Sequence, residues 1–189
     1  MEKRIRLDLM IAVFALLLSA VASIASVYQA HVISQQFSAT VWPYLTVSVT
    51  SSTSSISLEL TNDGLGPALI RSASVTLDGK GVPSFRTLLI TLAAAPKITG
   101  ETRSAVGTFA SLSPGDVIRA GDTYRVAAFV GVSGLPSIVA ANAERHDATL
   151  SICYCSLLGT CWMKVWKPEQ DDEPYEVRRC PAPTAIAAS

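Results

Sequence analysis

The chain has 189 residues, room for one membrane anchor and one domain of ordinary size but not for a second folded domain. Its 15 Lys and Arg balance 15 Asp and Glu, so no net field draws in nucleic acid, and that class of partner is set aside. Apolar residues reach 49% against 16% charged, which suits a chain with a membrane-buried segment better than a wholly soluble one.

Residues 1–8 carry Lys3, Arg4 and Arg6, and an uncharged run follows from Leu9 through Ala30. Leu9–Val27 alone covers about 28 Å at ~1.5 Å per helical residue, close to the thickness of a bilayer's hydrocarbon core. Residues 9–30 are therefore read as a transmembrane helix. No Lys or Arg follows until Arg71, so the positive-inside rule puts residues 1–8 in the cytoplasm and the rest of the chain outside. A cleaved signal peptide is the rival reading, with Ile11–Leu18 as its core and Ala20-Val21-Ala22 as its cleavage site. Against it, Ile24, Ala25 and Val27 continue the apolar run, and Tyr28 sits where an interfacial aromatic would anchor a helix. Ala30, Ile33 and Phe37 keep helical spacing, which extends the helix as a stalk over residues 31–41 until Trp42-Pro43 stops it.

From Trp42 the signals become extended. Tyr44–Thr50 and Ile56–Leu60 alternate apolar and polar residues around a serine-rich turn, the pattern of a hairpin. Asn62-Asp63-Gly64-Leu65-Gly66-Pro67 is a turn cluster, and Leu69–Leu77 leaves it as a third strand. Phe85–Ala95, with Leu88, Leu89 and Leu92 at helical spacing, is expected to form a short crossover helix. Leu135–Arg145, where Pro136 suits a first helical turn, is expected to form another. Ala105–Leu112, Tyr124–Val132, Thr149–Ser156 and Cys161–Lys167 bring the strands to about seven, the number of a β-sandwich. Turn signals at Ser113–Asp116 and Ala120–Asp122 isolate Val117–Arg119 as a brief edge strand. The expected fold is thus mainly β: an antiparallel sandwich over residues 42–181 with two short helices, ending in a disordered tail at residues 182–189.

The membrane helix followed by Trp42-Pro43-Tyr44-Leu45 and then Asn62-Asp63-Gly64-Leu65-Gly66-Pro67-Ala68 resembles a group of uncharacterised single-span bacterial envelope proteins. The resemblance covers most of the chain. It implies a bacterial inner-membrane anchor and an immunoglobulin-like extracytoplasmic (periplasmic) domain, and it carries no activity to any residue.

Cys153, Cys155, Cys161 and Cys180 all lie near the C-terminal end, and their even number outside the span suits disulfides. Two residues apart on a strand, Cys153 and Cys155 point to one face and each needs its own partner. A hairpin turn at Leu157–Thr160 would set Cys155 opposite Cys161 and Met163 opposite Cys153. Cys155 with Cys161 and Cys153 with Cys180 are the expected pairs, although exchange of partners remains open. If the thiols stayed reduced, Cys153, Cys155, Cys161 and Met163 would form a soft set suited to Cu(I). On the opposite face Tyr154, Trp162 and Trp166 form either a rigid aromatic interaction surface or part of the core.

Catalysis has little local basis. Only His31 and His146 offer imidazole chemistry, Asp147 beside His146 is no sign of a triad, and Gly-x-Ser-x-Gly, His-Glu-x-x-His and phosphate-loop motifs are absent from the sequence. The acidic stretch Glu169–Glu176 lacks the spacing of a calcium loop and reads as solvated. The expected role is therefore a membrane-anchored interaction module with no cofactor, meeting another envelope protein or a second copy of itself. A copper-handling domain is the alternative. A pilin-like or secreted structural subunit ranks third, because no Gly precedes the apolar run for leader cleavage.

Overall fold

The computed structural model describes residues 2–93, 106–130, 134–168, 170–182 and 186. It falls into two compact units, Met1–Thr40 and Val41–Ser189.

The first unit is one helix, α1 (Glu2–Thr40), which runs unbroken through the expected span and stalk. The segment Leu9–Gln36 within it is long and apolar enough to cross a membrane, and none of its side chains is buried by protein. Ser19, Ser23 and Ser26 fit an apolar helix because each hydroxyl donates to a carbonyl one turn back, at 2.9 Å. The apolar window extends past residue 30 to Gln36, further than the 9–30 expected.

The second unit is built from antiparallel sheets. In chain order its strands are β1 (Leu45–Ser51), β2 (Ser55–Asn62), β3 (Ala68–Leu77), β4 (Lys80–Val82), β5 (Val106–Phe109), β6 (Val117–Ile118), β7 (Thr123–Val130), β8 (Ala148–Cys155), β9 (Cys161–Lys167), β10 (Gln170–Asp171) and β11 (Tyr175–Val177). One sheet has the order β1-β2-β7-β5; the other has β10-β9-β8-β3-β4, with β11 also on β9 and β6 on β3. Helix α2 (Phe85–Ala93) follows β4, and α3 (Leu135–Arg145) joins β7 to β8, so both lie in crossovers between the sheets. Residues 94–95 of the first expected helix, Ala105 of one expected strand and residues 131–132 of another lie outside the described residues.

Period-two alternation builds the core. Leu45 and Val47 of β1, Leu60 of β2 and Val126 of β7 pack against Ile70 and Val75 of β3 and Leu150, Ile152 and Tyr154 of β8, all under a tenth exposed. At the end of β2 the turn cluster closes round Asn62, which is fully buried. Its Oδ1 accepts from the Tyr44 and Gly64 amides at 3.1 Å each. Its Nδ2 donates to the carbonyls of Gly66 at 2.8 Å and Ile118 at 3.0 Å. Gly64 and Gly66 are needed here because a Cβ at either would strike backbone, that of Trp42 and Tyr44 for Gly64 and that of Val41 for Gly66.

Two expectations are corrected, and of the two readings of the aromatic trio the core one applies. The acidic stretch is not simply a solvated loop: Gln170–Asp171 and Tyr175–Val177 both pair with β9. The tail is not disordered at Ile186, which is 1% exposed and exchanges two backbone hydrogen bonds with Leu112, at 3.0 and 3.1 Å. Tyr154, Trp162 and Trp166 do not make a surface patch, because Tyr154 is fully buried and both tryptophans pack against the core.

Candidate functional site

Two features of the sandwich carry chemistry, a sulfur cluster outside it and a cavity within it. The β8–β9 turn sets the first. Gly159 takes φ 87°, the Ser156 amide donates to Thr160 at 2.8 Å, and the resulting register puts Cys155 opposite Cys161 and Cys153 opposite Met163. Disulfides join Cys155 to Cys161 and Cys153 to Cys180, the latter reached because β11 carries the chain back along β9. The two bridges touch, with Cys155 Sγ 3.9 Å from Cys180 Sγ. The Sγ atoms of Cys155, Cys161 and Cys180 all lie within 4.8 Å of one another. No cysteine is free, so the soft set of Cys153, Cys155, Cys161 and Met163 offers no thiolate in this state.

On the inner face Tyr154 stacks on Trp162, ring centroids 6.0 Å apart, and its hydroxyl accepts from the Leu45 amide at 3.3 Å. Burial pushes its phenol pKa up to about 12. Lys164 sits on the same inner face, between Trp162 and Trp166, and is 1% exposed. Its ammonium donates to the Asp172 carbonyl at 2.7 Å and pairs with Asp171 at 2.6 Å, so the charge is satisfied where β10 gives way to β11. Tyr44 has its pKa raised by burial and then by the carboxylates of Glu173, Asp171 and Asp63.

The histidines are engaged locally. His146 Nδ1 lies 3.0 Å from Asp78 Oδ2, both exposed, while the neighbouring Asp147 accepts from Lys167 Nζ at 2.8 Å instead. His31 pairs with Gln35 one turn along α1, at 3.1 Å.

The cavity has no counterpart among the sequence expectations. It measures about 230 Å³ and lies between the sheets under the two crossover helices. Val49, Ile56 and Leu58 line it from one sheet and Trp166 from the other, while Leu88, Leu89 and Leu92 of α2 and Val139, Ala140 and Ala143 of α3 close it. The helices are tied together by Asn142, whose Nδ2 donates to the Leu92 carbonyl at 2.7 Å. Among the described residues Glu144 is the single charged one of the wall, and with Ala143 and Pro168 it also lines an adjoining polar recess that holds Asp147, Lys167 and Gln170. The one hint in the sequence is the small pair Ala140 and Ala143 on the face where α2 offers three leucines: side chains that short leave a gap between helices.

No protein-family model matches the chain, and no curated protein or solved structure matches it significantly.

Proposed function

We propose that the chain is a single-span binding module of a bacterial inner membrane. Residues 1–8 face the cytoplasm, α1 crosses the bilayer, and an immunoglobulin-like sandwich in the periplasm takes an apolar group of another envelope component between its sheets. The cavity carries this reading. The pocket, about 230 Å³ and apolar-walled, opens to solvent, so an apolar group that enters it takes wall surface out of contact with water, worth about 25 cal/mol per Å² of apolar area covered.

Other observations support the address and the fold. Two disulfides suit an oxidising compartment, and Lys3, Arg4 and Arg6 all precede the apolar segment. With the two-residue β6 set aside, β1-β2-β7-β5 and β9-β8-β3 follow the A-B-E-D and G-F-C orders of an immunoglobulin sandwich. The test uses full-length protein in lipid nanodiscs titrated with 1-octanol, read by amide hydrogen exchange. Slower exchange in Phe85–Ala93 and Leu135–Arg145, lost on Ala140→Phe, is the expected result. Unchanged exchange in both helices sinks the reading.

A second reading, copper handling, is favoured by the three sulfurs within 4.8 Å, which shift the ligand set to Cys155, Cys161 and Cys180 once both disulfides are reduced. Stoichiometric Cu(I) bound by the reduced protein and abolished by Cys180→Ser supports it; no retained copper removes it.

A further inference from the structure

We infer that the cavity's ligand is a single-chain amphiphile, an alkyl chain of medium length bearing an ammonium head, with the chain between the sheets and the head against Glu144. This rests on the cavity being the binding element.

The size of the chain follows from volume. A dry apolar cavity of ~150 Å³ takes up benzene, so the 230 Å³ here holds about nine carbon atoms on the same scale. Apart from the Trp166 indole N–H, the wall offers those carbons no hydrogen-bonding side chain among the described residues except Glu144, which lies at the mouth.

The head follows from charge. Glu144, with Ala143 and Pro168, lines both the apolar cavity and the polar recess, so the two adjoin at that residue. In the recess Lys167 is already paired with Asp147 at 2.8 Å, whereas Glu144 forms no ion pair among the described residues. Among the described residues the mouth therefore keeps one carboxylate outside any ion pair, near Gln170, whose amide donates to Asp172 at 3.0 Å. An ammonium complements it; a carboxylate, sulfate or phosphate head would meet like charge. The exposure of Glu144 keeps this preference modest, while chain burial dominates affinity.

The opening also has a direction within the sandwich. Chain entry at Val41–Tyr44 is bound to the Asn62–Gly66 turn, where Leu45 faces Asn62 in the β1–β2 register. The cavity lies at the other end of that hairpin, where Val49 faces Leu58 and Ser51 faces Ile56. The ligand thus reaches the sandwich from the end remote from the point where the chain enters it.

The test uses the full-length protein in nanodiscs, with empty nanodiscs correcting for partition, and n-alkyltrimethylammonium and n-alkyl sulfate ions of six to twelve carbons kept below micelle formation. Binding is read from amide exchange in Phe85–Ala93 and Leu135–Arg145. Affinity for the cations is expected to rise about fourfold per added methylene and to level off near nine carbons, where the cavity is full. The sulfates are expected to bind more weakly at every length. Glu144→Gln should weaken the cations about two- to fivefold more than it weakens 1-octanol, whose hydroxyl either side chain can hydrogen-bond. Equal binding of both heads, or a rise that continues through twelve carbons, overturns the inference while octanol protection still supports the binding module. Loss of octanol protection itself overturns both.

Discussion

Replacing Asn62 by Ala removes the hub of the turn that receives the chain at Tyr44. The side chain is fully buried and makes four hydrogen bonds, two accepted by Oδ1 and two donated by Nδ2. Each net bond is worth about 1 kcal/mol, and a buried group left without its partner costs ~1–3 kcal/mol. Water can enter beside the partly buried Tyr44 amide, but the Ile118 carbonyl faces the interior. The expected loss is therefore about 3–5 kcal/mol. For a folded unit of this size that lowers Tm by roughly 10 °C. Asn62→Asp keeps the acceptor but loses both donors and sets a buried carboxylate against two carbonyl oxygens, so it should cost at least as much. The assay is guanidinium unfolding of the full-length protein in micelles, followed by tryptophan fluorescence. Ser48→Ala, at an exposed position on β1, is the control and should stay within about 0.5 kcal/mol of the parent. If Asn62→Ala unfolds within 1 kcal/mol of the parent, the hub argument is wrong.

Three further outcomes are expected. Gly66→Ala should disturb the entry strand, because its Cβ would meet the Val41 backbone, and near-ultraviolet dichroism of Trp42 and Tyr44 should change while far-ultraviolet dichroism persists. Cys180→Ser opens a link across 27 residues and should cost about 3–4 kcal/mol, measurable in the same guanidinium assay. Tyr154 has a folded pKa near 12 against 10 unfolded, so its contribution is fully present below pH 10 and is lost as pH rises toward 12. Between those values stability should fall by about 2–3 kcal/mol, and Tyr154→Phe should flatten that decline.

The sequence made the long elements legible and left the long-range ones hidden. Alternation in Tyr44–Thr50 and Ile56–Leu60 is a local signal, and the β1–β2 ladder follows it directly. The turn at Leu157–Thr160 likewise fixes the β8–β9 register that brings the cysteines together. Lys164 has no local signature, because a lysine on the inner face between two tryptophans becomes tolerable only when Asp171 and Asp172 arrive from a segment that reads as solvated. Ile186 is one apolar residue in an Ala- and Pro-rich stretch, and its place in the core depends on Leu112, far earlier in the chain. The cavity is space left between two sheets and two helices, and no local pattern reports the volume that distant side chains fail to fill.

The proposed role requires a membrane-held chain whose cysteines are oxidised. The intact mass of the membrane-extracted protein, taken after thiol alkylation with and without prior reduction, tests both together. The expected result is the uncleaved chain, unmodified before reduction and alkylated at four cysteines after it. A chain cut after Ala22, or one alkylated without reduction, would contradict it.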